Sequence, residues 1–506
     1  MKKILTVLLS IASLTAVAQQ NTLLNQSFWQ NSPQVEAVKA EVAKGNNPLQ
    51  FNANSFDPIV MAINSNAPFA TTKYLLEQPG IDLNRLTHDS RTYLHWASMR
   101  GNVELIEYLL SKGVKPAVVD SKGTTPLLAA AASGHQNTKI YDLFAAHGDN
   151  LKTALNSDGA NALLVAIGND KNLTLTNYFI SKGLSLKSVD AAGNNAFAYV
   201  AKSGNIELMK TLVEKGVPVS QQAMLMAAQG GNARRGGGPA APDAGIGMPV
   251  YNYLESVGVK ATTVSKSGQN VLHYLVRKPA QSEIIKYFLA KGVDANTADE
   301  DGLTPLMNAA ASNRETEVFA LLLPAVKNIN QATSSGQTAF TMAVKSNSLE
   351  VIGLLIEKGA DVKLLDKKGN NLVFYAMEGY GGGGRQGAGK PADLDVKLNL
   401  LKAKGIDIAA PQKDGNTLYH LAVAKNDLAL VEHLKSLGID VNAKNNEGIT
   451  ALHKAAMIAK DDSIMKYLVS IGAKKEIETG FSETAYDLAS ANESLSKNQV
   501  SVSFLK

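Results

Sequence analysis

The chain has 506 residues, of which 45% are apolar, 19% charged and 6% aromatic, with a formal charge of +5 and no cysteine. The apolar content excludes wholesale disorder. The missing cysteines exclude disulfides, zinc–thiolate and iron–sulfur sites and a cysteine nucleophile, and +5 over this length does not by itself imply nucleic acid or membrane.

The first element is a targeting segment. The chain opens MKKILTVLLSIASLTAVAQQ. Lys2 and Lys3 form a short positive region, Ile4 to Leu14 is an apolar run, and Ala16-Val17-Ala18 is a small-x-small cleavage site before Gln19. Residues 1–18 therefore read as a signal peptide, and the product as periplasmic or secreted. The alternative is a buried N-terminal helix. There is no cysteine to lipidate. No later stretch reaches the about 18 apolar residues of a membrane helix, so no membrane span is expected.

A repeated pattern follows. It starts on Asp, Thr, Asn or Gln, continues through apolar and His positions, and ends in alanines. Clear copies are "TYLHWAS" at Thr92, "GTTPLLAAAASGH" at Gly123, "GLTPLMNAAASN" at Gly302 and "GITALHKAAM" at Gly448. The register positions are Asp57, Thr92, Thr125, Asn161, Asn195, Gln222, Asn270, Thr304, Thr338, Asn371, Thr417, Thr450 and Thr484, with a degenerate copy at Thr22. Apart from intervals of 27, 48 and 46, the spacings lie between 33 and 36. Each copy continues into a second helical pattern with a Lys-Gly stop, as in "VELIEYLLSKGV" over 103–114. There, Leu105, Ile106, Leu109 and Leu110 form one apolar stripe. The glycine supplies a left-handed residue that ends the helix, and an Asp/Asn/Gly-rich turn precedes the next copy.

On these residues the chain resembles the ankyrin repeat family. The resemblance is carried by Thr125-Pro126-Leu127 and Thr304-Pro305-Leu306, by His95, His273, His420 and His453 three positions after a register residue, by the alanine pairs, and by the closing Lys-Gly. It implies an all-α solenoid of about 13–14 helix–turn–helix units with β-hairpin-like turns. It also implies an inter-repeat hydrogen bond for those histidines and a protein partner of unspecified identity. The physics agrees: Thr caps a helix, Pro suits its first position, and no unit buries its apolar face without neighbours. The organisation is then capping helices or a degenerate repeat over 19–56, repeats over 57–228 and 248–378, repeats and a C-terminal cap over 394–492, and a tail over 493–506.

Two Gly-rich insertions interrupt the array, "QGGNARRGGGPAAPDAGIG" over 229–247 and "GYGGGGRQGAGKPAD" over 379–393. Both fall between the first and second helix of their unit. The units after them match, as "GQNVLHYLV" and "GNTLYHLAV", and suggest a larger duplicated block. The alternative is two independent loop expansions. The interval of 27 before Gln222 lacks the usual turn and predicts a notch near 216–222.

No cofactor or metal site is expected. Residues 384–391 imitate a phosphate-binding loop, but Pro391 stands where Ser or Thr would hold Mg²⁺. No nucleophile motif, paired-carboxylate motif or His-rich ligand set is present. The surface left for a partner is the turn tips and the outer faces of the first helices. Candidate contacts are Asp120, Lys122, Asp158, Asp190, Glu300, Asp301, Asp366, Lys368, Lys413 and Asp414. Two other readings stay open. One is an enzyme with a site in the notch or under a Gly-rich loop. The other is a nucleic-acid or anionic-surface binder through Arg234, Arg235, Arg385 and Lys390, although no nucleic-acid partner is expected from so few charges.

Overall fold

A computed structural model describes residues 21–230, 246–381 and 391–506. The segment read as a signal peptide lies outside the described residues, as do Arg234, Arg235, Arg385, Lys390 and most of both insertions. Contacts divide the chain into two compact units, one reaching Met226 and the other starting at Ala227.

The register residues become helix caps. The Oδ1 atoms of Asp57, Asn161 and Asn195 accept the N–H of Val60, Leu164 and Ala198 at 2.9, 3.0 and 3.1 Å. Thr125 and Thr304 cap in the same way through their hydroxyls. Pro58, Pro126 and Pro305 take the first helical turn, where no N–H is missed. Glycine ends the second helix with positive φ at Gly113, Gly292 and Gly359. Among the described residues this yields thirteen helix pairs, from Pro58–Asn64 with Phe69–Leu76 to Ala485–Ala491 with Glu493–Lys497. The class is all-α, as expected. Among the described residues the β-hairpin character is reduced to four isolated bridges, such as Leu155 to Asn161 and Val189 to Asn195.

Within each unit, first helices stack on first helices and second on second. Tyr93–Arg100 touches Pro126–Ala132 in the first unit, and Pro305–Ser312 touches Ala339–Ser346 in the second. Stacking buries the apolar stripe of every repeat, for example Leu105, Ile106 and Leu109. The residues ahead of the first full repeat join this core, since Trp29 is fully buried and its Nε1 donates to Leu23 O at 2.8 Å. The expected tail over 493–506 is corrected: Glu493–Lys497 is the second helix of the last pair, and Leu495 and Leu505 are buried. Both side chains cover apolar surface that a terminal repeat would otherwise leave wet.

Every repeat but the one at Gln222 opens with a tight turn, here termed a finger. The N–H of its first residue donates to the carbonyl four residues on, and the N–H three residues on donates back to the first residue's carbonyl, from glycine in most fingers and from Ser55, Ser90 and Ser482 in three. At Asp120 the distances are 3.0 Å to Thr124 O and 2.9 Å from Gly123. Several neighbouring fingers share one backbone hydrogen bond. In the first unit these include Ser121 N to Asp89 O at 2.8 Å and Ala191 N to Asp158 O at 2.9 Å. In the second, Ser334 N to Asp301 O and Lys367 N to Ser335 O are both 3.0 Å. At Gly336 this approach leaves no room for a side chain. A Cβ on Gly336, whose φ is +86°, would lie 2.5 Å from Lys367 N. The connection 216–222 has no finger. The chain passes from the helix Ile206–Glu214 through Gly216 directly to Ala223–Gln229.

Candidate protein-interaction surface

The four register histidines are buried inside the stack. The Thr92 N–H donates to His95 Nδ1 at 3.1 Å, so the proton sits on Nε2, which donates to Thr124 O of the next repeat at 3.0 Å. His273, His420 and His453 reach Leu303 O, Ile449 O and Ile477 O at 3.2, 3.0 and 2.8 Å. The inter-repeat bond that the family resemblance implies is present at all four. Burial pushes the His95 imidazole down to about 4, and burial lowers the other three as well. These rings are neutral spacers with both nitrogens occupied, so they have no lone pair for a metal. Among the described residues no group of three or more His, Asp or Glu could hold a metal ion.

The predicted tip residues separate into two kinds. Asp120 and Asp190 are 7% exposed and are corrected from contact residues to turn anchors. Asp120 accepts from the backbone of Lys122 and Thr124 at 2.9 and 3.0 Å and from Arg91 Nε at 3.1 Å. Despite the upward push of burial, these donors hold its carboxyl below the usual range. Asp190 accepts from Asn194 N and Tyr199 Oη at 2.8 and 2.9 Å. Half-buried Asp366 repeats this with Asn370 N and Tyr375 Oη at 2.9 and 2.7 Å. The signal was present in the sequence as "DAAGNNAFAY" and "DKKGNNLVFY", which share spacing and chemistry.

The second kind faces water. Lys122 and Asp158 in the first unit are exposed, as are Glu300, Asp301, Lys368, Lys413 and Asp414 in the second. These tips lie on separate fingers, except that Glu300 and Asp301 share one finger and Lys413 and Asp414 another. Lys122 Nζ stands 3.9 Å from Asp89 Oδ2, which is worth little at the surface.

Side chains that sequence reasoning missed close the ends of the first helices. Asn347, 4% exposed, donates through Nδ2 to Ala310 O and Asn313 O at 2.8 and 2.7 Å. Asn313 does the same to Val276 O at 2.8 Å. Each Asn follows an alanine-rich helix and satisfies carbonyls that the preceding repeat leaves orphaned. Lys278 Nζ donates to Ala228 O at 2.7 Å, and Lys425 Nζ to Tyr380 O at 3.2 Å. Both lysines sit at one register, ten residues after Gly268 and Gly415. Both grip the helix end that precedes a Gly-rich insertion. This shared grip favours a duplicated block over two independent expansions.

Among the described residues, the two places proposed for chemistry differ in what they hold. The connection 216–222 reads GVPVSQQ and contains no acid, histidine or lysine. A cavity of about 230 Å³ beside the second insertion is lined by residues including Arg314, Asn347, Tyr380, Lys397 and the carboxylates Glu350 and Asp393. Burial lowers the Lys397 ammonium to about 8, and its Nζ donates one hydrogen bond to Val344 O at 2.7 Å, the end of another first helix. Among the described residues no helix is long and apolar enough to cross a membrane.

Comparison with known proteins agrees with this geometry. Residues 29–120, 59–154, 272–366 and 392–495 match a family model described as ankyrin repeats in three copies. The chain is 28% identical over 159 residues to a palmitoyltransferase of Lachancea kluyveri, covering 31% of this chain and 21% of that protein. It is 33% identical over 114 residues to the transient receptor potential cation channel subfamily A member 1 of Homo sapiens, covering 22% and 10%. It is 36% identical over 64 residues to the 26S proteasome non-ATPase regulatory subunit 10 of Dictyostelium discoideum, covering 12% and 28%. The chain thus spans less than a third of each of these relatives.

Proposed function

Because the chain belongs to the ankyrin repeat family, we propose that it is a non-catalytic, exported scaffold binding a partner protein through its finger tips and first-helix faces. One observation carries this reading. Within each unit the fingers are held rigidly from within by turn anchors and shared backbone bonds, yet they offer charged side chains outward. Such pre-ordered surface costs little entropy on binding. The export part rests on the composition of residues 1–18.

The test is cross-linking in the native cell followed by capture. A variant with Lys122, Asp158, Glu300, Asp301, Lys368, Lys413 and Asp414 changed to Ala should fold normally. It should recover the wild type's captured protein at about a tenth of the level or less. Equal recovery, or no protein captured by the wild type, overturns the reading. Mass spectrometry of the purified protein's N-terminus should find Gln19 first. An intact Met1 on the native protein overturns export.

A further inference from the structure

Single exposed apolar side chains are ordinary on a protein surface, so an isolated one carries no meaning. Here they are not scattered. In the first unit, the residue immediately before each finger is Phe51, Leu86, Val119, Leu155 and Val189, on five successive fingers. Their exposures are 37, 54, 51, 50 and 56%. At this position a solvated finger needs no apolar group, because the hydrogen bonds that close the turn are made by its neighbours. In the second unit the same position runs from Val264 and Leu365 to Lys444 and Glu478, so the turn itself does not demand an apolar residue. Phe51 is the partial exception to exposure, since the Arg85 guanidinium lies 3.7 Å above its ring.

The last three members of this stripe have basic neighbours, whereas exposed Asp82 stands four residues ahead of Leu86. Lys115, Lys152 and Lys187 stand two to four residues ahead of Val119, Leu155 and Val189. All three are exposed, and none joins a carboxylate ion pair among the described residues. The acids of the same fingers are largely turned inward: Asp120 and Asp190 are buried anchors, and Asp89 pairs with Arg91 at 3.2 Å. Asp158 is the acid of these fingers left exposed at a tip.

We propose that this stripe binds an extended, acidic segment of a partner protein that carries an apolar side chain at every third residue. The proposal rests on the scaffold reading above and adds the chemistry of what is bound. Spacing selects the conformation. Stacked helices repeat at about 8–10 Å, and so therefore do the stripe residues. A polyproline-II segment has three residues per turn and rises about 9 Å per turn, which brings every third side chain to the same face in register with the fingers. A β-strand would turn alternate side chains away. Acidic residues between the apolar ones meet Lys115, Lys152 and Lys187. A membrane surface fits less well. Membrane-inserting edges use bulky aromatic rings, whereas this stripe offers Leu and Val one at a time, and its sole ring is covered by Arg85.

The test pans the full chain against a displayed library of random peptides about 15 residues long, enough to span five fingers at three residues each. Enriched peptides should be acidic, with Leu, Ile or Val at every third position. Synthesised copies should bind the wild type at least about tenfold more tightly than the combined Val119→Ser, Leu155→Ser and Val189→Ser variant. The combined Lys115→Glu, Lys152→Glu and Lys187→Glu variant should lose a similar factor, most strongly at low salt. Circular dichroism checks that both variants fold. Several results overturn the proposal. These are enrichment of basic or patternless peptides, equal affinity of either variant, sedimentation of the protein with phosphatidylcholine–phosphatidylglycerol vesicles in a stripe-dependent manner, and self-association that the Ser variant abolishes. Carrying the Ser variant through the cross-linking capture separates this failure from that of the scaffold reading. Undiminished recovery of the partner would overturn the stripe and leave the scaffold standing.

Discussion

Replacing Leu306 with alanine lowers stability by about 2–5 kcal/mol. Leu306 is 3% exposed on the helix Pro305–Ser312, which touches Val271–Leu275 on one side and Ala339–Ser346 on the other. The truncation removes apolar contacts from both interfaces at once and leaves a cavity that the flanking helices close only in part. A repeat is held by its nearest neighbours, so the loss is local. Urea unfolding followed by circular dichroism should move to lower denaturant and lose two-state character. Hydrogen exchange should quicken first in the helices flanking 305–312. An unchanged transition would contradict the burial of this side chain.

Acidification is the second large effect. In the folded chain His95 titrates at about 4 against an ordinary value of 6.5, because burial disfavours the charged ring. Between these values the unfolded chain binds a proton that the folded chain refuses. Stability is therefore complete above about pH 6.5 and is lost as pH falls toward 4. For His95 alone the loss amounts to about 3 kcal/mol at 1.36 kcal/mol per pKa unit. His273, His420 and His453 are shifted in the same direction and add to it. Unfolding midpoints measured from about pH 7 to about pH 4.5 should fall steeply. A His95→Gln variant should be weaker at neutral pH and show a shallower slope. A parallel slope in wild type and variant would remove His95 from the account.

Much of the architecture is legible in the chain without coordinates. Asp57, Thr125, Asn161 and Thr304 mark the repeat period in the sequence, and the same residues cap helices in the fold. This follows because a cap bonds an N–H three residues away, within reach of local spacing. The absence of a finger at 216–222 is visible for the same reason, since a tight turn announces itself through Asp or Asn and Gly within a few residues.

The candidate surface was legible only in part. Composition places Asp120 and Asp190 on turns, where carboxylates ordinarily face water, yet both are buried. For Asp120, burial depends on Arg91 of another finger, 29 residues away. Lys122 and Asp158 occupy turns of the same kind and stay exposed: the Asp89 carboxylate of the neighbouring finger, 3.9 Å from Lys122 Nζ, leaves that ammonium in water.

The sequence by itself determined the repeat length, the helix ends and the register of the histidines, all matters of contacts within a few residues. Tertiary structure alone decided which polar groups are consumed by the stack. Asn347 answers carbonyls 34 and 37 residues back, and Lys278 answers one 50 residues back. It also decided which apolar residues are left outside it, because Val119 and Leu127 are both apolar as letters and differ in whether a neighbouring repeat covers them.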